Sequence, residues 1–476
     1  LKQNISGVEL FQRADVLTLV RSNSPSGGAM KVLSLKFLSL LLIATTIALS
    51  SPATLPVWAE NKLSVPVSSN EKIAHALSRL TFGARPGDIE KVRSLGLEKF
   101  IDAQLNPASI PESPIVLAQV QKSSDILEVP SSKLLAEFAA MKKARKLAKN
   151  SEQVNPANKI SEANGGQVMA GDQAASSGSL ANRPARAANR KGKNGGGAKS
   201  GAAGLKNLIE TGVIETKLVR AGESPRQLNE VLADFWFNHF NIAISKGVDR
   251  VLVGAYEEQA IRPNLLGNFR ELVGATMHHP AMMFYLDNAQ NTKAGFQAPN
   301  PKSKKNGINE NYARELLELH TLGVDGGYSQ ADVMELARVL TGWGMPAAGN
   351  RRNAGATGSN GYWASFDQRR HDFGEKTILG QTIKGTGANE IEQVLDMLAR
   401  HPSTAKHISF KLAQYFVDDN PPESLVEKLT QSYQQSNGKI KIVMSTLFAS
   451  PEFWDSKYQN SKFKSPFHYA VSACRA

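Results

Sequence analysis

The polar residues best suited to chemistry lie in one stretch, Asn309 to Gly323, which reads NENYARELLELHTLG. If this stretch is a helix, Glu310, Arg314 and Glu318 recur at every fourth residue, so one arginine lies between two carboxylates on the same face. Such a face suits the binding of a charged ligand. The alternative is a helix whose charges only pair with one another, and we favour that interpretation.

Glu315 and His320 raise the question of a metal site in the same stretch. Glu315 lies in a neighbouring row of the helix, and His320 lies on its apolar side. The zinc pattern His-Glu-x-x-His is missing, and no glutamate stands three residues before His320, as di-iron bundles require. We therefore assign no metal, no cofactor and no catalytic residue. A single histidine in the hydrophobic core is the alternative for His320.

Trp236, His239 and Asn241 belong to a second motif, WFNHFN, at the end of a helical pattern. Aromatic rings beside amide and imidazole groups are suited to stacking against a sugar or a cofactor. An aromatic core that contains one hydrogen-bonded histidine explains the same residues, and we favour that interpretation.

Two short motifs place polar residues at the boundaries of elements. Asp287 and Asn288 follow an apolar run, where such residues commonly cap a helix end. His371 and Asp372 could supply a metal ligand, or a general base that its neighbour orients. Adjacent side chains usually point apart, however. Together with the motifs above, these residues form the candidate polar cleft that the sequence predicts.

The elements that must position these residues are mainly helices. Apolar residues recur at three- and four-residue spacing from Ile73 to Leu80 and from Ala405 to Phe416, which is the pattern of amphipathic helices. Only Lys376 to Ile383 (KTILGQTI) indicates a small hairpin. The predicted fold class is therefore mainly α: a multi-helix globular domain with a small β-hairpin and a long disordered insertion.

The positive charge of the chain lies in two segments. The chain carries 56 Lys and Arg against 43 Asp and Glu, a net charge of +13. Residues 1–59 contribute three of these charges and residues 142–206 contribute ten, so the remainder is neutral. Nucleic-acid-binding folds carry positive charge on their folded surface, because they neutralise phosphates. The distribution argues against a dedicated nucleic-acid-binding domain.

Residues 30–59 have the order of a secretory signal peptide. Two lysines precede a 13-residue apolar run, Phe37 to Leu49, and small or aliphatic residues occupy the −3 and −1 positions of a cleavage site that ends at Ala59. Crossing a membrane takes about 20 apolar residues. We therefore expect cleavage, export to the periplasm or the medium, and no membrane span in the mature chain. Residues 1–29 are not expected to belong to the native product.

A stretch rich in Gly, Ala, Asn and Ser interrupts the helical pattern. Residues 142–206 contain no aromatic residue and few large aliphatic ones, so they cannot bury enough apolar area to offset the entropy of ordering. We predict a disordered basic insertion there. It separates an N-terminal helical part, residues 60–141, from a main helical part, residues 207–476, which we expect to be truncated at its C-terminus. Residues 70–141 and 207–476 are expected to form one domain.

Several motifs follow one another in a fixed order along the chain. They are HALSRLTFG (75–83) with RPGD (85–88), FWFNHF (235–240), HPAM (279–282), YLDN (285–288), the stretch from 310 to 323, LTGW (340–343), HD (371–372), HP (401–402) and SPEF (450–453). This series resembles the bacterial domain-of-unknown-function family 1800 over about residues 70–476 outside the insertion. The resemblance implies an exported, largely helical protein. Because members are often encoded beside exported proteins that look like alkaline phosphatases, it also implies a partner of that kind. It implies no activity, cofactor or catalytic residue.

Three functions remain open from the sequence. The first is an exported cell-envelope binding or assembly protein whose polar motifs form a ligand cleft, because the folded part is neutral and lacks a complete catalytic motif. The second is a metal-assisted hydrolase acting on envelope polymers, which requires its polar side chains to meet at one ligand position. Those side chains are Glu315 or Glu318, His239, His320 and His371. The third is a structural scaffold in which every motif serves packing and capping.

Overall fold

Helices dominate the computed structural model of this chain, which describes residues 69–153, 197–297, 307–345 and 364–476. The α-helices of these ranges are, in chain order, α1 (Ser69–Leu80), α2 (Asp88–Leu95), α3 (Leu97–Gln104), α4 (Pro114–Lys122), α5 (Ser124–Leu127), α6 (Ser131–Gln153), α7 (Gly197–Glu223), α8 (Gln227–His239), α9 (Asp249–Tyr256), α10 (Phe269–Met277), α11 (Pro280–Tyr285), α12 (Asn311–Glu315), α13 (Gln330–Val339), α14 (Glu390–Arg400), α15 (Pro402–Phe416), α16 (Glu423–Gln435), α17 (Ile440–Ala449) and α18 (Pro466–Arg475). Two π-helical turns, Glu257–Ile261 and Leu316–Thr321, continue α9 and α12. The strands of the described ranges form two antiparallel pairs, β1 (Trp343–Gly344) with β2 (Ser365–Phe366), and β3 (Lys376–Ile378) with β4 (Gln381–Ile383). The predicted mainly α class with a small hairpin is confirmed.

Apolar spacing and local capping explain where the helices form. The buried apolar residues of α14 follow the spacing of one helix face: Ile391, Val394, Leu395 and Leu398. Helix α13 begins with a capping box, in which the Ser329 hydroxyl accepts the Asp332 N–H and the Asp332 carboxylate accepts the Ser329 N–H. This reciprocal pair satisfies backbone donors that the first turn of a helix leaves free.

The β3–β4 hairpin lies where the sequence predicts it. Its two-residue turn places Leu379 at φ 49° and Gly380 at φ 75°. Hairpin turns of the I′ type require left-handed values at both central residues, and glycine adopts them without steric strain. The β1–β2 pair was not predicted, because strands of two residues are too short to show alternation.

One continuous hydrophobic cluster fills the centre of the described residues. It extends along the chain from Leu80 to Val471. Trp236 and Trp343 are among its largest fully buried side chains. Because residues from both sides of the predicted insertion contribute, the segments before and after the insertion share this core.

The helices on either side of the predicted insertion reach into it. Helix α6 continues to Gln153 and α7 starts at Gly197, so both ends of the 142–206 range are helical. The α6 end is rich in Ala, Lys, Arg and Leu, which are strong helix formers, and this explains the difference from the prediction. Residues 154–196 and the expected signal peptide, 30–59, lie outside the described residues. Within the described ranges, no helix combines the length and the apolar character needed to cross a membrane.

Candidate functional site

The side chains that the sequence singles out fall into separate groups of contacts. The carboxylates of α12 and its π turn lie on an element that is hydrogen-bonded to the segment before Asp287. His239 contacts His320. His371 and Asp372 belong to a buried network with other partners. The structure therefore joins some of the predicted residues and separates others.

Trp236 and Asn288 form buried hydrogen bonds with the backbone. The buried indole of Trp236 donates its Nε1–H to the carbonyl of Leu265 at 3.2 Å. The buried amide of Asn288 donates to the carbonyls of Leu340 and Trp343, each at 3.1 Å. These bonds leave no donor on either side chain for a ligand. Asn241, from the same sequence motif as Trp236, is half-buried.

A π-helical turn modifies the predicted carboxylate–arginine row. After α12 the backbone widens into the π turn Leu316–Thr321. In such a turn each N–H bonds to the carbonyl five residues earlier rather than four, as the Leu322 N–H does to the Leu317 carbonyl. Arg314 pairs with Glu310 at 2.9 Å, as the spacing predicts. Glu318 instead accepts a hydrogen bond from the Tyr328 hydroxyl at 3.2 Å. The extra residue in the wider turn shifts Glu318 relative to the predicted row, and π turns of this kind are frequent at functional sites.

Glu315 lies at the junction of α12 and the π turn, where it is half-buried. Burial and the neighbouring charge of Glu318 raise the pKa of Glu315, and Arg314 opposes that shift. On the same helix, the Asn311 amide donates to the carbonyl of Leu286 at 3.2 Å. This bond fastens α12 to the segment that follows α11.

Asp249 is the functional candidate that the sequence did not reveal. Its side chain is 0% exposed, and among the described residues neither carboxylate oxygen has a hydrogen-bond partner. Burial, and secondarily the charge of Asp287, raise the pKa of Asp249 to about 8, while Lys246 lowers it. A buried polar group without a partner destabilises a fold by about 1–3 kcal/mol. Acidic residues are common in the first turn of a helix, because they complement the helix dipole. Only the burial of Asp249 therefore distinguishes it from such residues.

A tight turn before α9 brings Lys246 toward α11. Gly247 has φ 50°, and a Cβ at this position would lie 2.8 Å from the ring of Phe284. The turn therefore packs directly on α11 because position 247 carries no side chain. The backbone N–H of Asp249 donates to the Lys246 carbonyl at 2.9 Å, which keeps the two residues in one turn.

The ammonium group of Lys246 contacts the end of α11. It donates a hydrogen bond to the carbonyl of Tyr285 and lies 3.6 Å from the Asp287 Oδ2. It also lies 5.0 Å from the centre of the Tyr285 ring. Asp287 has φ 59°, a left-handed value that glycine adopts freely and that aspartate and asparagine adopt more often than most other residues.

We call Asp249, Asp287, Glu315 and Glu318 the acidic cluster. Tyr285 connects its members, because burial, Asp249 and Glu315 together raise the pKa of the Tyr285 hydroxyl. The charges of Asp287 and Glu318 act on Asp249 and Glu315 respectively. The charges of these carboxylates therefore act on one another's pKa, and such an arrangement is suited to a positively charged group.

The histidines beside the π turn form a separate, uncharged group. The Nε2–H of half-buried His239 donates to the carbonyl of His320 at 3.1 Å. Burial lowers the pKa of His320 to about 3, and burial also holds the pKa of His239 well below its usual range. The His320 ring packs 5.1 Å from that of Phe240. Both imidazoles are therefore neutral at physiological pH and packed among aromatic rings.

His371 lies in a fully buried ionic network. Its Nδ1 donates to the Thr341 carbonyl at 2.7 Å, and its Nε2 lies 2.9 Å from a Glu390 oxygen. The second oxygen of Glu390 accepts from the Lys376 ammonium at 2.6 Å. All three ionisable side chains are 0% exposed. Asp372 points away from His371, toward the guanidinium of Arg338 at 3.0 Å.

In the parts of the chain that the structure describes, no three His, Cys, Asp or Glu side chains are placed to bind one ion. An open groove of about 600 Å³ lies elsewhere, between α16 and α17. It is lined by Lys428, Gln431, Ser432, Gln435, Ser436, Lys439, Ile442 and Thr446. None of the predicted residues lies in that groove.

Comparisons with known proteins identify the chain's relatives at the level of the family. Residues 75–476 match the family DUF1800, described as "Protein of unknown function (DUF1800)". Neither the curated proteins nor the solved structures contain a match to the chain.

Proposed function

The chain belongs to the DUF1800 family, and on that premise we propose that it is an exported cell-envelope binding protein that holds a positively charged envelope component at the acidic cluster. The observation that carries the proposal is Asp249, a carboxyl that is completely buried without a described hydrogen-bond partner. A buried polar group without a partner calls for an explanation, and a bound ligand or a reaction is one such explanation.

The charge balance of the cluster supports a cationic ligand. Asp249, Asp287, Glu315 and Glu318 lie close enough to shift the pKa of their neighbours. Burial and the charge of Glu318 raise the pKa of Glu315 although Arg314 lowers it, and Arg314 itself pairs with Glu310. A ligand with positive charge relieves this repulsion, and electrostatic complementarity of this kind favours one partner over others.

The two alternatives explain less. The metal-assisted hydrolase requires His371 to share one ligand position with Glu315 and His320. The described hydrogen bonds of His371 reach only Thr341 and Glu390. A pure scaffold accounts for Trp236, Asn288 and the ionic networks, but it gives no role to Asp249.

Export is the first half of the proposal, supported by the signal-like order of residues 30–59. When the chain is expressed from Met30, we expect the protein in the periplasm or the medium to begin at Glu60, as N-terminal sequencing checks. Ala59→Trp places a bulky side chain at the −1 position and is expected to leave the uncleaved precursor. Recovery of both proteins in the cytoplasm with the leader intact contradicts export. The exported phosphatase-like partner that the family resemblance implies belongs to this same compartment in the proposal.

Envelope binding is the second half. The probe is the cell envelope isolated from the organism that encodes the chain, and the readout is the fraction of protein that sediments with it. The triple variant Asp287→Asn, Glu315→Gln, Glu318→Gln is expected to bind at least about tenfold more weakly, because it removes three charged contacts.

A matched variant controls for net charge in this experiment. Glu98→Gln, Glu423→Gln, Glu427→Gln removes the same number of carboxylates from exposed positions outside the cluster. This variant is expected to sediment like the natural sequence. If the two triple variants lose sedimentation equally, binding depends on the overall charge of the protein, and the proposed site is overturned. No sedimentation of the natural sequence overturns the proposed function.

A further inference from the structure

We propose that the acidic cluster recognises an ammonium group, and that Lys246 occupies the position of that group when no ligand is bound. This inference rests on the proposed function and names the chemical class of its ligand. The geometry that carries it is the contact set of the Lys246 ammonium together with the unpartnered carboxyl of Asp249.

The surroundings of the Lys246 ammonium have the features of an ammonium receptor. An ammonium has three N–H donors and no acceptor. Here it meets the Tyr285 carbonyl, the Asp287 carboxylate at 3.6 Å and the Tyr285 ring at 5.0 Å. Carbonyl, carboxylate and aromatic face are the groups that proteins use to bind such cations.

Lys246 fills this receptor incompletely. The turn at Gly247 packs on Phe284 and thereby fixes the backbone position of Lys246. From there the ammonium reaches Tyr285 and Asp287, but neither oxygen of Asp249 receives a hydrogen bond from the described residues. The Lys246 side chain is 38% exposed, so it has room to move into solvent. In this proposal a free ammonium, which the turn does not restrain, donates to Asp249 as well as to Tyr285 and Asp287.

A compact inorganic cation fits the same residues less well. Calcium takes six to eight oxygen ligands and magnesium takes six, at about 2.0–2.6 Å. In the described ranges, no three carboxylate or other ligand-type residues are placed to share one ion. An alkylammonium needs only two or three acceptors around its nitrogen, and its carbon stem packs against a ring such as that of Tyr285.

Chemical rescue tests this assignment. Lys246→Ala removes the internal ammonium and is expected to lower the thermal unfolding midpoint. At pH 8, about 100 mM ethylammonium chloride is expected to raise that midpoint by about 3 °C relative to the same concentration of sodium chloride, because it binds only the folded state. Tetramethylammonium, which has no N–H donor, is expected to have no effect beyond that of sodium. Adding Asp249→Asn to Lys246→Ala is expected to abolish the response.

Two further variants make the outcome decisive. Lys122→Ala removes a surface lysine whose partner is Glu215, and it is expected to show no response to ethylammonium. Lys246→Met keeps the apolar stem and repeats the test if the alanine variant does not fold. Equal rescue by tetramethylammonium, stronger rescue by calcium chloride, or no rescue of either Lys246 variant overturns the ammonium assignment. In the last case, charge-dependent sedimentation with envelopes would still stand, so the two proposals fail separately.

Discussion

Asp249→Asn is expected to make the protein more stable at pH 8, by an amount on the order of 5 kcal/mol, and to leave its stability near pH 4 almost unchanged. The variant keeps the size of the side chain and removes the ionisable proton. Burial raises the pKa of Asp249 to about 8. At pH 8 the natural protein must therefore either keep this carboxyl protonated or bury its negative charge, and both cost free energy. The neutral amide of asparagine avoids both costs.

The sign of the effect follows from proton binding in the two states. The pKa of Asp249 is about 8 in the folded protein and near 3.8 when unfolded, so between these values the folded protein binds more protons. Its free energy of unfolding therefore falls as pH rises through this window, by about 1.4 kcal/mol per unit. Buried histidines act in the opposite direction at lower pH. Burial lowers the pKa of His279 and of His320 to about 3, so their contribution grows with pH up to about 6.5 and is constant above it.

Urea unfolding at a series of pH values between 6.5 and 9 measures this effect, because the histidine contributions are constant there. The natural sequence is expected to lose stability across the lower part of the range, whereas Asp249→Asn is expected to give a flat profile. Asp325→Asn, a change at an exposed position, is the matched control and is expected to follow the natural sequence. Parallel profiles for all three proteins would mean that Asp249 is not buried in an unpaired state, and the main support for the binding site would be lost.

The fold was largely predictable from the sequence because its helices depend on local apolar spacing. Buried residues such as Ile73 and Leu77 recur as an amphipathic helix requires, and the turn at Leu379 and Gly380 has a local signature. The π turn Leu316–Thr321 has no such signature, because its extra residue is accommodated by packing rather than by residue type. The β1–β2 pair was missed for a different reason, because strands of two residues are too short to show alternation.

The candidate site was only partly predictable. Glu315 and Asp287 were recognised because polar residues are conspicuous in an apolar sequence context. Asp249 was not, since an acidic residue at the start of a helix is usually a solvent-exposed partner of the helix dipole. Its burial results from tertiary contacts, including the turn that Gly247 allows against Phe284. His371 was recognised from the sequence, but its partner was not, because Glu390 lies 19 residues away along the chain.

The network of Glu390 is stabilised by charge pairing in a place that water does not reach. Glu390 accepts hydrogen bonds from His371 at 2.9 Å, from Lys376 at 2.6 Å and from the Gly387 N–H at 2.8 Å. Burial alone would raise the pKa of Glu390, but these bonds outweigh it and the pKa is lowered. Removing one member of a buried ion pair leaves an uncompensated charge, which destabilises a fold by about 3–5 kcal/mol.

Glu390→Met is therefore expected to destabilise the protein by about 3–5 kcal/mol, as urea unfolding at pH 7 measures. The double variant Lys376→Met, Glu390→Met removes the stranded cation and is expected to recover a large part of that loss, because apolar side chains of similar volume replace a buried pair well. Glu215→Met breaks the more exposed pair with Lys122 and is the matched control, with an expected change below about 1 kcal/mol. If the double variant is less stable than Glu390→Met, then Lys376 stabilises the fold even when the Glu390 carboxylate is missing. The network would then hold the hairpin by packing rather than by charge, because β3 begins at Lys376.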